Sequence, residues 1–140
     1  MHKTDSPLAL KATIFYKWLA LLFALAIFIQ VFLAGLALFW DAEQWASHTG
    51  FAKAIFIVPA LMLATAFAAR LPVSFRLSSA VLVIMTVLMF VTAKLSTSAG
   101  FVSALHPVFA LMMFMGAMSN ARKTDALIKT NFHHERRNEP

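Results

Sequence analysis

Two histidines occupy the positions of this chain best suited to chemistry. His106 lies in Leu105-His106-Pro107-Val108-Phe109-Ala110, and His48 in Trp45-Ala46-Ser47-His48-Thr49-Gly50. Each opens an apolar run. An imidazole there can hold a proton, bond a neighbouring acceptor or ligate a metal. Each is followed four residues later by an alanine, Ala52 and Ala110. On a helix those positions share the histidine's face one turn away, and a small residue there leaves room for a flat group. The chemistry that fits best is a haem b whose iron is held by both imidazoles. His48 and His106 would be its metal ligands.

Three further residues complete the candidate cofactor site. Gln30 is the strongly polar residue of the first apolar run. Lys53 and Lys94 lie toward the same side as the histidines and can pair with haem propionates. Lys53 follows His48 by five residues, about 140° around a helix, so it has to reach round. Other readings compete. His106 before Pro107 suits the start of a helix, where proline is favoured at the first position. His48 beside Trp45 suits a membrane interface, and the two rings can also bond each other, a carboxylate or water. Met112, Met113, Met115 and Met118 admit a copper site, since thioether and imidazole both suit that metal, although methionine is also ordinary core filler. A quinone site or a proton-handling role is open as well. Lys53 is otherwise a snorkelling side chain or a partner for Asp41 or Glu43.

Much other chemistry is excluded. The chain has no cysteine, so disulfides, iron–sulfur clusters and thiolate metal sites are absent. No nucleophile–base pair, carboxylate dyad or phosphate-cradling glycine loop is visible, which disfavours a hydrolase or phosphoryl-transfer enzyme. No catalytic residue is assigned, and whether the protein is an enzyme stays open.

The elements that position these residues follow from composition. Of 140 residues, 61% are hydrophobic and only 13% charged, with a mean hydropathy of +0.77. A soluble domain of this size is about 45–50% apolar. The excess calls for a bilayer, and charges fall mainly between or outside the apolar runs. Four spans are expected, at about 18–39, 48–69, 77–94 and 105–121. Residues 1–17 form an N-terminal segment and 122–140 a basic polar tail, helical at first and then frayed. The first apolar run exceeds the roughly 7–15 residues of a signal peptide, so it is read as a retained helix. Ala26, Gln30, Ala34 and Ala37 share one face of it, which should look into a bundle. Pro59 should kink the second span. Ser78, Ser79, Thr86 and Thr92 are tolerable in the third.

Ten of the twelve Lys and Arg residues lie in the N-terminal segment, the middle loop at Arg70 to Arg76 and the tail. That bias places both termini in the cytoplasm, and the short loops give an all-α, up-down-up-down four-helix bundle. The formal charge of +6 is thereby assigned to cytoplasmic loops; no basic soluble face points to nucleic acid. The tail stretch Phe132-His133-His134-Glu135-Arg136-Arg137 is a solvated tail or a site for metal or anionic lipid. In such a bundle His48 and His106 both stand at outer helix ends, on diagonally opposed spans. Neighbouring axes about 8–10 Å apart put that diagonal at about 12–14 Å. Two imidazoles on one iron need a Cα–Cα span of about 12–13 Å, with metal–nitrogen bonds near 2.0–2.1 Å.

The runs Gln30-Val31-Phe32-Leu33-Ala34-Gly35-Leu36, His48-Thr49-Gly50 and Leu105-His106-Pro107-Val108 resemble a family of small bacterial four-helix membrane proteins, the domain of unknown function of class 6220. The matching positions are Gln30, Gly35, His48, Gly50, His106 and Pro107. The resemblance implies four spans in a bacterial inner membrane and no established activity. Family members often carry a further glycine near Phe109-Ala110, where this chain has none. The paired histidines are also similar in layout to small membrane b-type cytochromes, which usually carry more histidines and often two haems. One pair here would hold one haem, in a redox or sensing protein with a membrane redox partner. The alternative is a non-catalytic interaction or assembly subunit whose histidines are interfacial.

Overall fold

The computed structural model describes residues 7–95 and 100–138, with side chains over 8–95 and 100–130. All regular structure among the described residues is helical: α1 (Pro7–Phe39), α2 (Gln44–Ile55), α3 (Ile57–Ala68), α4 (Val73–Lys94), α5 (Gly100–Ser103) and α6 (Leu105–Asn138). Four stretches are long and apolar enough to cross a membrane: Leu8–Phe39, Gln44–Ala68, Val73–Lys94 and Gly100–Thr130. The second joins α2 to α3, and the fourth joins α5 to α6.

The helices run past the apolar segments that announced them. α1 begins at Pro7, because proline's fixed φ and missing N–H suit the first helical position. α2 begins at Gln44, which places His48 one turn inside a helix rather than at its tip. α6 does not end with the apolar run near Ala121; it continues to Asn138. The reason is packing. Ala121 and Thr124 are buried and Leu127 packs against the core, while Lys17 on α1 pairs with Asp125 at 2.6 Å. The polar stretch thus has apolar and ionic partners as well as good helix formers. The tail cluster from Phe132 to Arg137 lies outside the described side chains.

Pro59 acts as expected. It lacks an N–H and crowds the carbonyl of Ile55 one turn before, and the helix is interrupted at Phe56 between α2 and α3. α3 closes with Arg70 N–H on Phe67 O and Leu71 N–H on Ala66 O, both at 3.0 Å. This is a Schellman closure, with the left-handed position taken by Arg70 at φ 52° instead of glycine. Leu71 is fully buried beneath it, and Pro72 caps α4 in an extended conformation.

α1 packs against α2, α3 and α6, while α4 packs against α3 and α6. The second and fourth spans therefore both lie against the first and third, across the bundle from each other. The core joins Tyr16, Ala20, Phe23 and Ala24 of α1 to Met62, Ala66, Leu82, Met113, Ala117 and Ala121. Alanines on α1 and α6 let those two backbones approach closely, which is how apolar helices associate in lipid. At Gly116 a Cβ would sit 3.1 Å from Leu82 Cδ2, so glycine permits the α4–α6 approach. A buried hydrogen bond of 2.8 Å joins Tyr16 Oη to Ser79 Oγ. Outside, Phe28, Phe32, Val81, Ile84, Leu111 and Met115 are exposed. Water would penalise that surface, whereas hydrocarbon does not.

Candidate functional site

The histidines are brought together by the two spans that face each other across the bundle. His48 and His106 are both half-buried, and their ring centroids are 6.3 Å apart with the planes inclined by 49°. His48 descends from the first turns of α2, and His106 is the second residue of α6. Helices α1 and α4 flank them and supply the polar contacts that fix the rings.

His48 Nδ1 lies 3.1 Å from the backbone carbonyl of Gln30. A carbonyl only accepts, so this nitrogen carries the hydrogen. Trp45 stands edge-on to the same imidazole, with centroids 5.5 Å apart at 84°. His106 Nδ1 lies 3.5 Å from Thr92 Oγ1. The Thr92 hydroxyl directs its own proton to Leu88 O at 3.0 Å or Met89 O at 3.1 Å, so toward His106 it is an acceptor. Ser103 Oγ–H in turn donates to Thr92 O at 2.8 Å. Both rings are thus held through Nδ1 from the flanking helices. This is the arrangement in which a metal-binding imidazole donates its other nitrogen to an oxygen acceptor.

The sequence singled out five residues for this site. The structure unites His48, His106 and the main chain of Gln30. The Gln30 side chain is a separate matter: its Oε1 is buried and has no hydrogen-bond partner. Ala26 and Ala37, on the same face of α1, are buried, while Gln30 and Ala34 are half-buried. Lys53 and Lys94 are exposed, and Lys17–Asp125 is the ion pair found among the described residues. Lys53 lines a cleft with Phe56 and Phe90 instead of pairing with Asp41 or Glu43. Sequence reasoning passed over Thr92, Ser103 and the orienting role of Gln30's carbonyl. Thr92 had been read only as a tolerated hydroxyl; its place in the last turns of α4, near the helix end that faces the start of α6, was the available signal.

A metal held by protein alone meets a deficit. Among the described residues no group of three or more His, Cys, Asp or Glu converges on one point. The methionines do not make up the count. Met112 and Met115 are exposed, and buried Met113 receives the Thr86 hydroxyl at 3.5 Å. Haem asks for less, because the macrocycle supplies four nitrogens and the protein only axial ligands. His48 and His106, with ring centroids 6.3 Å apart, would be the residues to hold such a group. Ala52 is half-buried, and Ala110 is buried in the hydrophobic core.

Residues 30–98 match DUF6220, a family of unknown function. The match runs through Gln30, His48 and Thr92 and ends before His106. It bears out the resemblance drawn from those motifs. No curated protein and no solved structure matches the chain.

Proposed function

We propose that this chain, with its DUF6220 match over residues 30–98, is a b-type haem protein of a bacterial inner membrane that serves in redox transfer or sensing. The protein is an up-down-up-down bundle with both termini in the cytoplasm. His48 and His106 hold one haem near the outer face, and Lys53 and Lys94 lie on the side from which its propionates can be reached. The observation that supports this reading is the facing pair of imidazoles 6.3 Å apart, each turned by a contact at Nδ1. The distribution of Lys and Arg supports the orientation. When bound, the haem supplies one-electron chemistry. The chain's residues would hold the two imidazoles through their Nδ1 contacts.

The test is an absorption spectrum of the protein purified in mild detergent after expression with ample haem, oxidised and then reduced. A Soret band with sharp reduced bands is expected, lost in both His48→Ala and His106→Ala. A folded protein that stays colourless after haem addition overturns the reading.

A second reading has a specific observation in its favour. The contacts from Gln30 O and Thr92 Oγ1 also satisfy each histidine in the way structural histidines are satisfied. In that case the chain is a non-catalytic interaction or assembly subunit. Both alanine variants then leave partner association nearly unchanged, and the wild type has no pigment to lose.

A further inference from the structure

Lys53 is a cation set within an apolar span. It belongs to the spanning stretch Gln44–Ala68 and lies about 14 Å along it from Gln44, at 1.5 Å per residue. The side chain is exposed, and the ion pair among the described residues is Lys17–Asp125, on the far side of the bundle. A lysine at that depth is costly unless its ammonium reaches water or an anion.

The break at Phe56 opens a cleft beside it. On one side of the break α3 packs against α4; on the other α2 has its packing against α1. Followed toward its histidine end, the second span therefore turns away from α4, as a helix kinked ahead of a proline can. The cleft left there is lined by Lys53, Phe56 and Phe90 and has a volume of about 310 Å³. Phe56 and Phe90 close its floor edge to face, with centroids 5.5 Å apart at 75°. From that contact both helices run toward the histidine end, in opposite chain directions. Lys53 stands three residues before Phe56. Lys94 stands four residues after Phe90, on the same face of α4, and is exposed too. Two cations without a carboxylate partner thus lie one turn beyond an aromatic floor.

We propose that the cleft between α2 and α4 binds an anionic glycerophospholipid, its phosphate on Lys53 and Lys94 and the start of an acyl chain on Phe56 and Phe90. An ammonium binds phosphate through charge-assisted hydrogen bonds, and a snorkelling lysine delivers its ammonium to head-group level. Basic pockets between spans take acidic head groups in this way. A zwitterionic head group brings its own cation, which offsets the attraction, so the cleft should select by charge. Haem propionates are the competing anion. Lys53, however, is about 140° around the helix from His48 and lines the cleft instead of the space between the imidazoles. The inference goes beyond the haem reading and needs neither histidine.

The test uses the full-length protein in mild detergent. Phosphatidylglycerol and phosphatidylcholine with the same acyl chains are titrated in, and native mass spectrometry counts the lipids retained. A phosphatidylglycerol with a diazirine near the head of one acyl chain is photolysed in parallel, and its adducts are mapped by peptide mass spectrometry. Phosphatidylglycerol should fill one saturable site, with adducts on residues 53–56 or around Phe90. Lys53→Gln and Lys94→Gln should each weaken it about fivefold and leave phosphatidylcholine as it was. Lys123→Gln, at the opposite end of the bundle, should change nothing. Equal affinity for the two lipids overturns the proposal. So does a preference that survives Lys53→Gln, or adducts confined to the Lys123 end. A Lys53→Gln variant that loses haem and keeps the lipid preference overturns it in favour of the propionates. Failure of the haem reading looks different: a colourless wild type that still selects phosphatidylglycerol.

Discussion

His48 is held by the main chain of Gln30, not by its amide side chain: Nδ1 and the carbonyl oxygen stand 3.1 Å apart. A main-chain acceptor sets the tautomer and ring direction whatever residue occupies position 30. His106 has two partners on α4, the Thr92 hydroxyl at 3.5 Å and the Met89 main chain, and the first of these is open to mutation.

Thr92→Val removes the oxygen facing His106 and keeps the shape of the side chain. Because outer contacts of this kind are typically worth about 10–100-fold in metal affinity, haem retention should fall by about tenfold. The band positions and the reduction midpoint should move while the helical content stays unchanged. Gln30→Leu provides the contrast, since it leaves the contact to His48 in place. Haem titration of both variants checks this. Equal loss in the two would show that the Thr92 contact does not orient His106.

The hydrogen bond between Tyr16 and Ser79 ties the first span to the third in a fully buried position. Tyr16→Phe leaves the Ser79 hydroxyl without its partner, and Ser79→Ala strands the phenol. Each should cost about 1–3 kcal/mol by the usual penalty for an orphaned group. The double variant should cost less than the sum, because neither group is then left over. Unfolding by denaturant in detergent gives the cycle. In membrane proteins such couplings average about 0.6 kcal/mol, so a coupling indistinguishable from zero would mean that each hydroxyl finds another partner.

How far the sequence discloses this molecule depends on the kind of force involved. The four apolar segments are legible because burial in hydrocarbon demands a predominantly apolar run of about 20 residues, and the expected span 77–94 lies within the helix Val73–Lys94. The opposition of His48 and His106 is legible because two segment starts fall at one depth. The break at Phe56 follows from Pro59 three residues on. A helical start to the tail is legible, but its anchoring is not, since that depends on α1 presenting Lys17 to Asp125 across the bundle. Thr92 is hidden for a related reason. A threonine in an apolar helix usually bonds its own preceding turn, as Thr65 does with Leu61 O at 2.7 Å. Only tertiary contact distinguishes Thr92 from it.

Arg70 offers a backbone prediction separate from the site. It holds φ 52° at the end of α3, a conformation costing a residue with a Cβ about 1–2 kcal/mol. Arg70→Gly should raise stability by about 0.5–1 kcal/mol after the extra freedom of the unfolded glycine is counted. Arg70→Ala removes the same charge and keeps the strain, so the difference between the two isolates the backbone term. Thermal unfolding in one detergent is the measurement. Identical midpoints for the two would show that the Schellman closure carries no strain at this residue.

Asn120 gives the sharpest prediction about the core. It is fully buried on α6, in line with Ala117 and Thr124, and neither end of its amide has a partner among the described residues. A buried amide left dry costs about 1–3 kcal/mol by mutational measures. Leucine has a similar branched shape and no polar atoms, so Asn120→Leu should stabilise the bundle by up to about that amount. A water molecule bridging the amide to a neighbouring oxygen would reverse the sign, because the substitution would then discard satisfied hydrogen bonds and leave the other oxygen unpaired. The sign of the change in denaturant midpoint therefore decides between a dry and a hydrated inner half of the bundle. Asn120→Asp separates the two further. In a dry core the carboxyl stays protonated while the unfolded chain ionises, so stability falls by about 1.4 kcal/mol per pH unit throughout pH 5 to 8. In a hydrated one the carboxylate forms within that range, and the fall levels off once the folded form is ionised too.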